Sequence, residues 1–153
     1  MSDDIRIRAV ARGDYDAWLP LWQGYNAFYG RSGATAVAPA ITAATWGRFF
    51  DAYEPLWALI AEREGALVGL VHYLYHRHTN MIAPTCYLED LFTAEAARGR
   101  GVGRALIEAV YARARADGLT RVYWHTHESN ATAMRLYDQV AERPGFVMYR
   151  KQL

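Results

Sequence analysis

The sequence predicts an α/β (α+β) fold: a mixed, mostly antiparallel central sheet with helices on both faces, in the order β-α-α-β-β-β-α-β-α-β. Three observations predict it. A chain of 153 residues suits one domain, 1–153, and it carries no repeat, low-complexity tract or linker. Its 52% hydrophobic and 22% charged composition supplies a core and excludes a disordered chain. The apolar period switches between two and 3.6 along the chain, and only the strand–turn–helix–strand passage over 86–125 requires a parallel crossover.

The elements follow in order. Ile5, Ile7 and Ala9 alternate with Arg6 and Arg8, a short strand, and Gly13-Asp14 then offers a turn and an N-cap. Trp18, Leu21, Trp22, Tyr25, Phe28 and Tyr29 share one helical face, and Pro20 inside it demands a late start or a kink. Residues 30–39 read as a mobile loop, and 42–52 as a second helix carrying Trp46, Phe49 and Phe50. Strands over 57–62 and 66–76 flank a hairpin turn at Glu64-Gly65. After a loop at 79–84, residues 86–93 form a third strand, dense in large apolar residues and so expected inside the sheet. A glycine-rich turn leads to a helix with the inward stripe Val102, Ala105, Leu106, Ala109 and Val110, ending at Asp117 and closed by Gly118. A strand at 121–125 precedes a helix over 130–140, whose inner face is Ala133, Leu136, Tyr137 and Val140. Pro144-Gly145 then turns into a last strand at 146–151.

Charge and composition narrow the function. A net charge of +1 lacks the basic excess of a nucleic-acid binder, and no run reaches the roughly 18 apolar residues of a membrane helix. The acidic start, Met1-Ser2-Asp3-Asp4, is unlike a signal peptide, so a cytoplasmic location is expected. Cys86, the single cysteine, forms no internal disulfide and reads as a buried structural residue rather than an acyl carrier. His76 with His78, and His125 with His127, share strand faces but lack a third ligand. No metal is expected, and His125 or His127 could instead relay protons.

The most informative segment is Ala97-Arg98-Gly99-Arg100-Gly101-Val102-Gly103-Arg104, between a strand and a helix. Glycines let the backbone turn tightly and approach a ligand closely, and a helix start presents unpaired amides and a positive dipole end. With three arginines nearby, this suits a phosphate or pyrophosphate, against the simpler reading of a structural turn. The segment lacks the lysine and hydroxyl of a Walker loop, and Gly-x-Gly-x-Gly is not the dinucleotide fingerprint.

Arg98-x-x-Gly101-x-Gly103 resembles the pyrophosphate-binding signature of the GNAT family of acyl-CoA N-acyltransferases. Asn130-x-x-Ala133-x-x-x-Tyr137 resembles that family's second recurrent stretch, and the likeness covers about 86–149. Tyr87-Leu88-Glu89-Asp90-Leu91-Phe92 and Tyr123-Trp124-His125-Thr126-x-Glu128-x-Asn130 are most similar to the histone/polyamine acetyltransferase group and its bacterial relatives. The resemblance implies a GNAT-like fold. It also implies an N-acetyltransferase with acetyl-CoA as co-substrate, acting on a primary amine of a polyamine- or amino-acid-like molecule by direct attack in a ternary complex.

It further implies roles. The backbone of Leu91, Phe92 and Thr93 pairs with the pantetheine arm, with an amide near Leu91 facing the thioester oxygen. Arg98, Gly99, Arg100, Gly101, Val102, Gly103 and Arg104 hold the pyrophosphate. Asn130 bonds the pantetheine or caps its helix. Tyr137 is the general acid, and Glu89 the base, directly or through water. Strand alternation puts Asp90 on the face opposite Glu89 unless a bulge intervenes. Trp22, Tyr25 and Tyr29 with Glu89 and Glu128 would line a site for a cationic or aromatic amine, while core packing is the rival reading of the rings. Only sixteen residues follow Tyr137, so the last sheet edge is expected to be short or completed by a second subunit in a homodimer. The alternatives are a non-catalytic acyl-CoA-binding module and a nucleotide-binding enzyme of another class.

Overall fold

Hydrogen-bonded pairing in the computed structural model, which describes residues 4–153, joins five strands in the order β1-β2-β3-β4-β5. They are β1 (Arg6–Ala9), β2 (Leu56–Arg63), β3 (Ala66–His76), β4 (Thr85–Thr93) and β5 (Val122–Tyr123). The first three pairings are antiparallel, and β4–β5 is the expected parallel crossover. Met1-Ser2-Asp3, part of the acidic start, lies outside the described residues. Among the described residues no helix is long and apolar enough to cross a membrane.

Alternation along the strands feeds two cores. Leu59, Ala61, Val71, Tyr73 and Leu88 point to the face covered by α3 (Val102–Ala116), against Val102, Leu106, Ile107 and Val110. Leu136, Tyr137 and Val140 of α4 (Ala131–Val140) pack on the same cluster. Ile60 and Leu70 point the other way, to Trp18, Leu21 and Trp22 of α1 (Tyr15–Phe28) and to Trp46 of α2 (Pro39–Arg48). Each of these fully buried large side chains contributes about 1.5–3 kcal/mol of apolar transfer. The hairpin turn falls where expected, with Glu64 at φ 51° and Gly65 at φ 78°, the left-handed pair that matches strand twist.

Four expectations are corrected. The first helix starts at Tyr15 with Pro20 inside it. Asp16 and Pro20 are both exposed, so the carbonyl that proline leaves without a donor meets water. Asp14 precedes that helix but does not cap it, because its carboxylate accepts from the Ala11 amide at 2.7 Å and pairs with Arg8 at 2.8 and 2.9 Å. Residues 30–39 hold a bonded 3₁₀ turn at Gly33–Thr35, where the Thr35 hydroxyl meets the Gly30 carbonyl at 2.7 Å. The second helix runs Pro39–Arg48 rather than 42–52, since the fixed φ of Pro39 suits a first helical position.

The tail differs most. Residues 146–151 form no strand, and Phe146 and Tyr149 are 91% and 93% exposed. A strand exists through its partner, and β5 has only two paired residues, neither of them to this segment.

Candidate active site

One irregularity in β4 organises the site. His72 pairs with Asp90 and Tyr73 with Leu88, so Glu89 is an extra residue, a β-bulge. The bulge removes the predicted opposition of Glu89 and Asp90. It also resets the backbone. The Cys86 amide bonds the Arg121 carbonyl on the β5 side, and plain alternation from there would send Asp90's amide the same way. However, the amide of Ala94, just past the end of β4, bonds the Val68 carbonyl of β3, so counting back puts Leu91 and Thr93 on the β5 side and Phe92 on the β3 side.

That side is open. Among the described residues β4 and β5 pair only at Cys86–Val122 and Tyr87–Tyr123, leaving the rest of β4 without a neighbouring strand there. The Leu91 amide and carbonyl therefore face a gap. The Thr93 carbonyl on that edge accepts from Arg98 Nε at 3.2 Å, which ties the glycine turn to the strand end. Leu91 and Phe92 side chains pack on opposite faces, Leu91 toward α3 and Phe92 toward α1.

At the mouth of the gap, α3 begins. Gly99 and Gly101 adopt φ 76° and 83°, which glycine takes without strain, and no side chain caps the helix. The amides of its first turn have no intrahelical acceptor and share the positive dipole end. Val102 offers only its amide, because its side chain is core, and Gly103 lies against Leu136 of α4. The arginines are engaged within the protein: Arg98 stacks over Phe92 at 5.8 Å, and Arg104 bonds Gln139 and pairs with Glu108. An anion placed here would meet backbone amides first, with the guanidinium groups as nearby charge.

Tyr137 projects from α4 and meets Trp124 edge-on at 5.4 Å. Burial, then the Tyr29 hydroxyl, pushes its phenol up to about 12, so it stays protonated at neutral pH. Partial burial and then Asp90 raise the Glu89 carboxyl above the usual glutamate range. Tyr87, pushed up to about 12 by burial and by Glu89, approaches His125 Nδ1 at 3.2 Å. Tyr123 completes this wall, 4.9 Å from Tyr87, with its hydroxyl 2.6 Å from His76 Nε2.

The N-terminal aromatics divide. Trp22 belongs to the core, its indole donating to Thr42 at 3.0 Å, and it lines a cavity of about 250 Å³ between α1, α2 and the Gly33 turn. Tyr25 and Tyr29 reach the site instead. The Asp90 carboxylate, after burial, raises the Tyr25 phenol, and it acts on Tyr29 in the same direction. Glu128 sits on the exposed turn before α4, apart from the carboxylates of β4. Asn130 precedes α4 without capping it, donating to Thr126 at 3.1 Å. Cys86 is buried, which pushes its thiol up to about 12 and leaves no thiolate to carry an acyl group.

Sequence reasoning missed His72, Trp18 and Arg31. Trp18 donates to His72 Nε2 at 3.1 Å, and His72 Nδ1 lies 2.8 Å from Asp90. Arg31 stacks over Tyr25 and Tyr29 at 5.8 and 5.5 Å, with Nε bonded to buried Asn26 at 2.7 Å. A histidine inside the apolar run 67–75 was the available signal, since a buried imidazole needs partners.

Comparison with known proteins agrees with this geometry. The acetyltransferase (GNAT) family model matches residues 18–141. A D-amino-acid N-acetyltransferase of Saccharomyces cerevisiae is 36% identical over 153 residues, covering 99% of this chain and 92% of the relative. An uncharacterized N-acetyltransferase of Bacillus subtilis is 30% identical, with 95% of each chain covered. The solved aminoglycoside N-acetyltransferase AAC(6')-Iy in complex with coenzyme A superposes with a TM-score of 0.79 at 21% identity, covering 100% of this chain and 98% of that one. That likeness concerns the fold.

Proposed function

Because this chain belongs to the GNAT family of acetyltransferases, we propose that it transfers the acetyl group of acetyl-CoA to a primary amine of a small molecule by direct attack in a ternary complex. The observation that carries this reading is the open edge of β4, with the Leu91 amide facing a gap whose mouth is the uncapped start of α3. Acetyl-CoA lies along Leu91, Phe92 and Thr93 as an added strand, with its diphosphate on the amides between Gly99 and Arg104. Asn130 stands at the start of α4, where it can reach the pantetheine amides.

The chemistry follows from the groups present. An alkyl ammonium, with a pKa of about 10.4, must lose a proton before it attacks. Glu89, with its raised proton affinity, takes that proton directly or through water. The amine nitrogen bonds the thioester carbon, and the Leu91 amide stabilises the oxyanion. The adduct nitrogen releases its second proton to solvent, and the carbon–sulfur bond breaks to leave the amide. Tyr137 donates its proton to the departing sulfur and is reprotonated from solvent.

Tyr25, Tyr29 and Glu89 form the acceptor wall in this reading, with Trp22 supporting it from the core. The terminal nitrogens of Arg31 have no partner among the described residues and lie over the two tyrosines, which supports an amino-acid-like acceptor with its carboxylate on Arg31. The yeast relative's activity on D-amino acids supports the same class. Adjacent Glu89 and Asp90 among aromatic rings favour a second reading, a polyamine-like acceptor. A cytoplasmic homodimer, with the exposed apolar run at 146–149 in its interface, completes the proposal. A monomer by sedimentation at micromolar concentration refutes the dimer.

Acetyl-CoA at millimolar concentration should raise the melting temperature where ATP and NAD do not, since a ligand stabilises the state it binds. An amine panel with a free-thiol readout should then show turnover. Equal stabilisation by ATP overturns the reading in favour of another nucleotide enzyme, and binding without turnover makes the chain an acyl-CoA-binding module. Glu89 works as a base only when ionised. As pH falls, kcat/KM should decline through a pKa above the usual glutamate range, and Glu89→Gln should abolish that limb.

A further inference from the structure

A fully buried histidine ends at the surface in a carboxylate beside the acceptor wall. His72 is 1% exposed, in mid-strand, with the rings of Phe49, Trp22 and Trp18 at 4.7, 5.6 and 6.0 Å. Both of its nitrogens are used. The Trp18 indole can only donate, so the His72 Nε2 that it meets at 3.1 Å carries a lone pair. The ring is therefore neutral with its proton on Nδ1, and Nδ1 donates to Asp90 Oδ2 at 2.8 Å. Asp90 is the exit of this chain: its side chain is 12% exposed, and its charge acts on the neighbouring Tyr25 phenol.

We infer that Asp90 is the carboxylate that receives the acceptor's ammonium, and that buried His72 and Trp18 are its positioning residues. The inference rests on the acetyltransferase reading and adds a division of labour to it. Glu89 has no hydrogen-bond donor among the described residues, which leaves its carboxylate available to exchange protons. Asp90 is held by the His72 N–H, which suits a binding group. A carboxylate offers about four acceptor directions, so others remain for the incoming ammonium. The bulge makes the pairing possible, setting Asp90 directly across from His72 while Glu89 stays beside it.

Structural need does not account for this arrangement. Apolar residues of similar volume would fill the space under α1 at equal or better stability, because polar groups buried together seldom exceed the packing they displace. A chain of donors that starts in the core and ends at the acceptor wall is expected if its end meets a ligand. It fixes the tautomer and orientation of the ring, and through the ring the carboxylate.

Steady-state kinetics on the full chain test this, using the best acceptor among L- and D-alanine, L- and D-phenylalanine and spermidine. Asp90→Asn should raise the acceptor KM at least tenfold and leave the acetyl-CoA KM within twofold. Trp18→Phe keeps the ring but removes the indole N–H that fixes the tautomer, and should raise the acceptor KM about threefold or more. His72→Asn, which offers an amide N–H near the Nδ1 position, should retain more acceptor affinity than His72→Leu. Nitrogen-15 NMR of the wild type should find the His72 proton on Nδ1. An unchanged acceptor KM in Asp90→Asn, with acetyl-CoA binding and turnover intact, overturns the anchor alone. Loss of melting temperature in the His72 and Trp18 variants without movement of the acceptor KM makes them structural and overturns the positioning role. Failure of the wild type to bind acetyl-CoA overturns the acetyltransferase reading and this inference with it.

Discussion

The two faces of one sheet are built on different principles. On the α3 side, alternate residues of β2, β3 and β4 meet an apolar helix stripe, and the buried packing is aliphatic with Tyr73 and Cys86 among it and further aromatic rings around its margin. On the α1 side the same strands bury His72 and face it with two tryptophans and a phenylalanine, and that polar thread surfaces at Asp90. The α3 face holds the fold through volume alone. The α1 face gives up some of that economy to orient a carboxylate. Damage to the first should therefore appear in stability and damage to the second in kinetics.

The largest expected effect separates them at once. Leu106 is fully buried in the α3 core, and Leu106→Ala should cost about 2–5 kcal/mol in unfolding, with kcat per folded molecule nearly unchanged. If activity falls in proportion to nothing but the folded fraction, the division stands; a specific rise in acceptor KM would break it.

Tyr137→Phe makes the opposite case, because the phenol packs on the α3-side cluster while its hydroxyl is the proposed proton donor. Removing that hydroxyl should lower kcat by about 10²–10³-fold, with acetyl-CoA affinity retained and melting temperature little changed. A kcat within threefold of wild type would return Tyr137 to packing alone.

Much of this plan was legible because it is local. The strand at 66–76 announced itself by apolar residues bounded by Glu64-Gly65, and the tight turn before α3 by glycines at a strand-to-helix junction. What was hidden depends on pairing. The bulge at Glu89 exists only against β3, so nothing in residues 85–93 alone could put Glu89 and Asp90 on one side. Phe146-Val147-Met148-Tyr149 has strand composition, yet without a partner it makes no strand. Pro39 did carry a usable signal, the first helical position, that its polar and glycine-containing surroundings masked.

A smaller effect probes how closely the α1 face is fitted. Gly24 approaches the Phe92 ring so tightly that a Cβ would lie 2.7 Å from Cζ and 2.9 Å from Cε1. Gly24→Ala should cost about 1–2 kcal/mol as the ring shifts, partly offset by the better helix propensity of alanine. Because Phe92 stands at the end of β4, the acetyl-CoA KM should rise with it. A stabilised variant with unchanged kinetics would mean the ring moves without consequence.

The smallest effect lies at the rim between the faces, where Arg8 of β1 grips Asp14 just before α1. The Arg8 hydrogen bonds hold the Asp14 carboxyl below the usual aspartate range, and the Arg8 guanidinium is raised in turn. The unfolded chain therefore binds a proton at Asp14 before the folded one does. The pair's contribution is complete above the unfolded pKa of about 3.9 and fades as pH falls through the lower folded value. Asp14→Asn should cost about 1 kcal/mol at neutral pH and flatten the loss of stability below about pH 4. Since this grip fixes the start of α1 rather than Tyr25 or Asp90, kinetic constants should stay within twofold. An acid limb identical to wild type would show that Arg8 anchors α1 through Glu62 or packing instead.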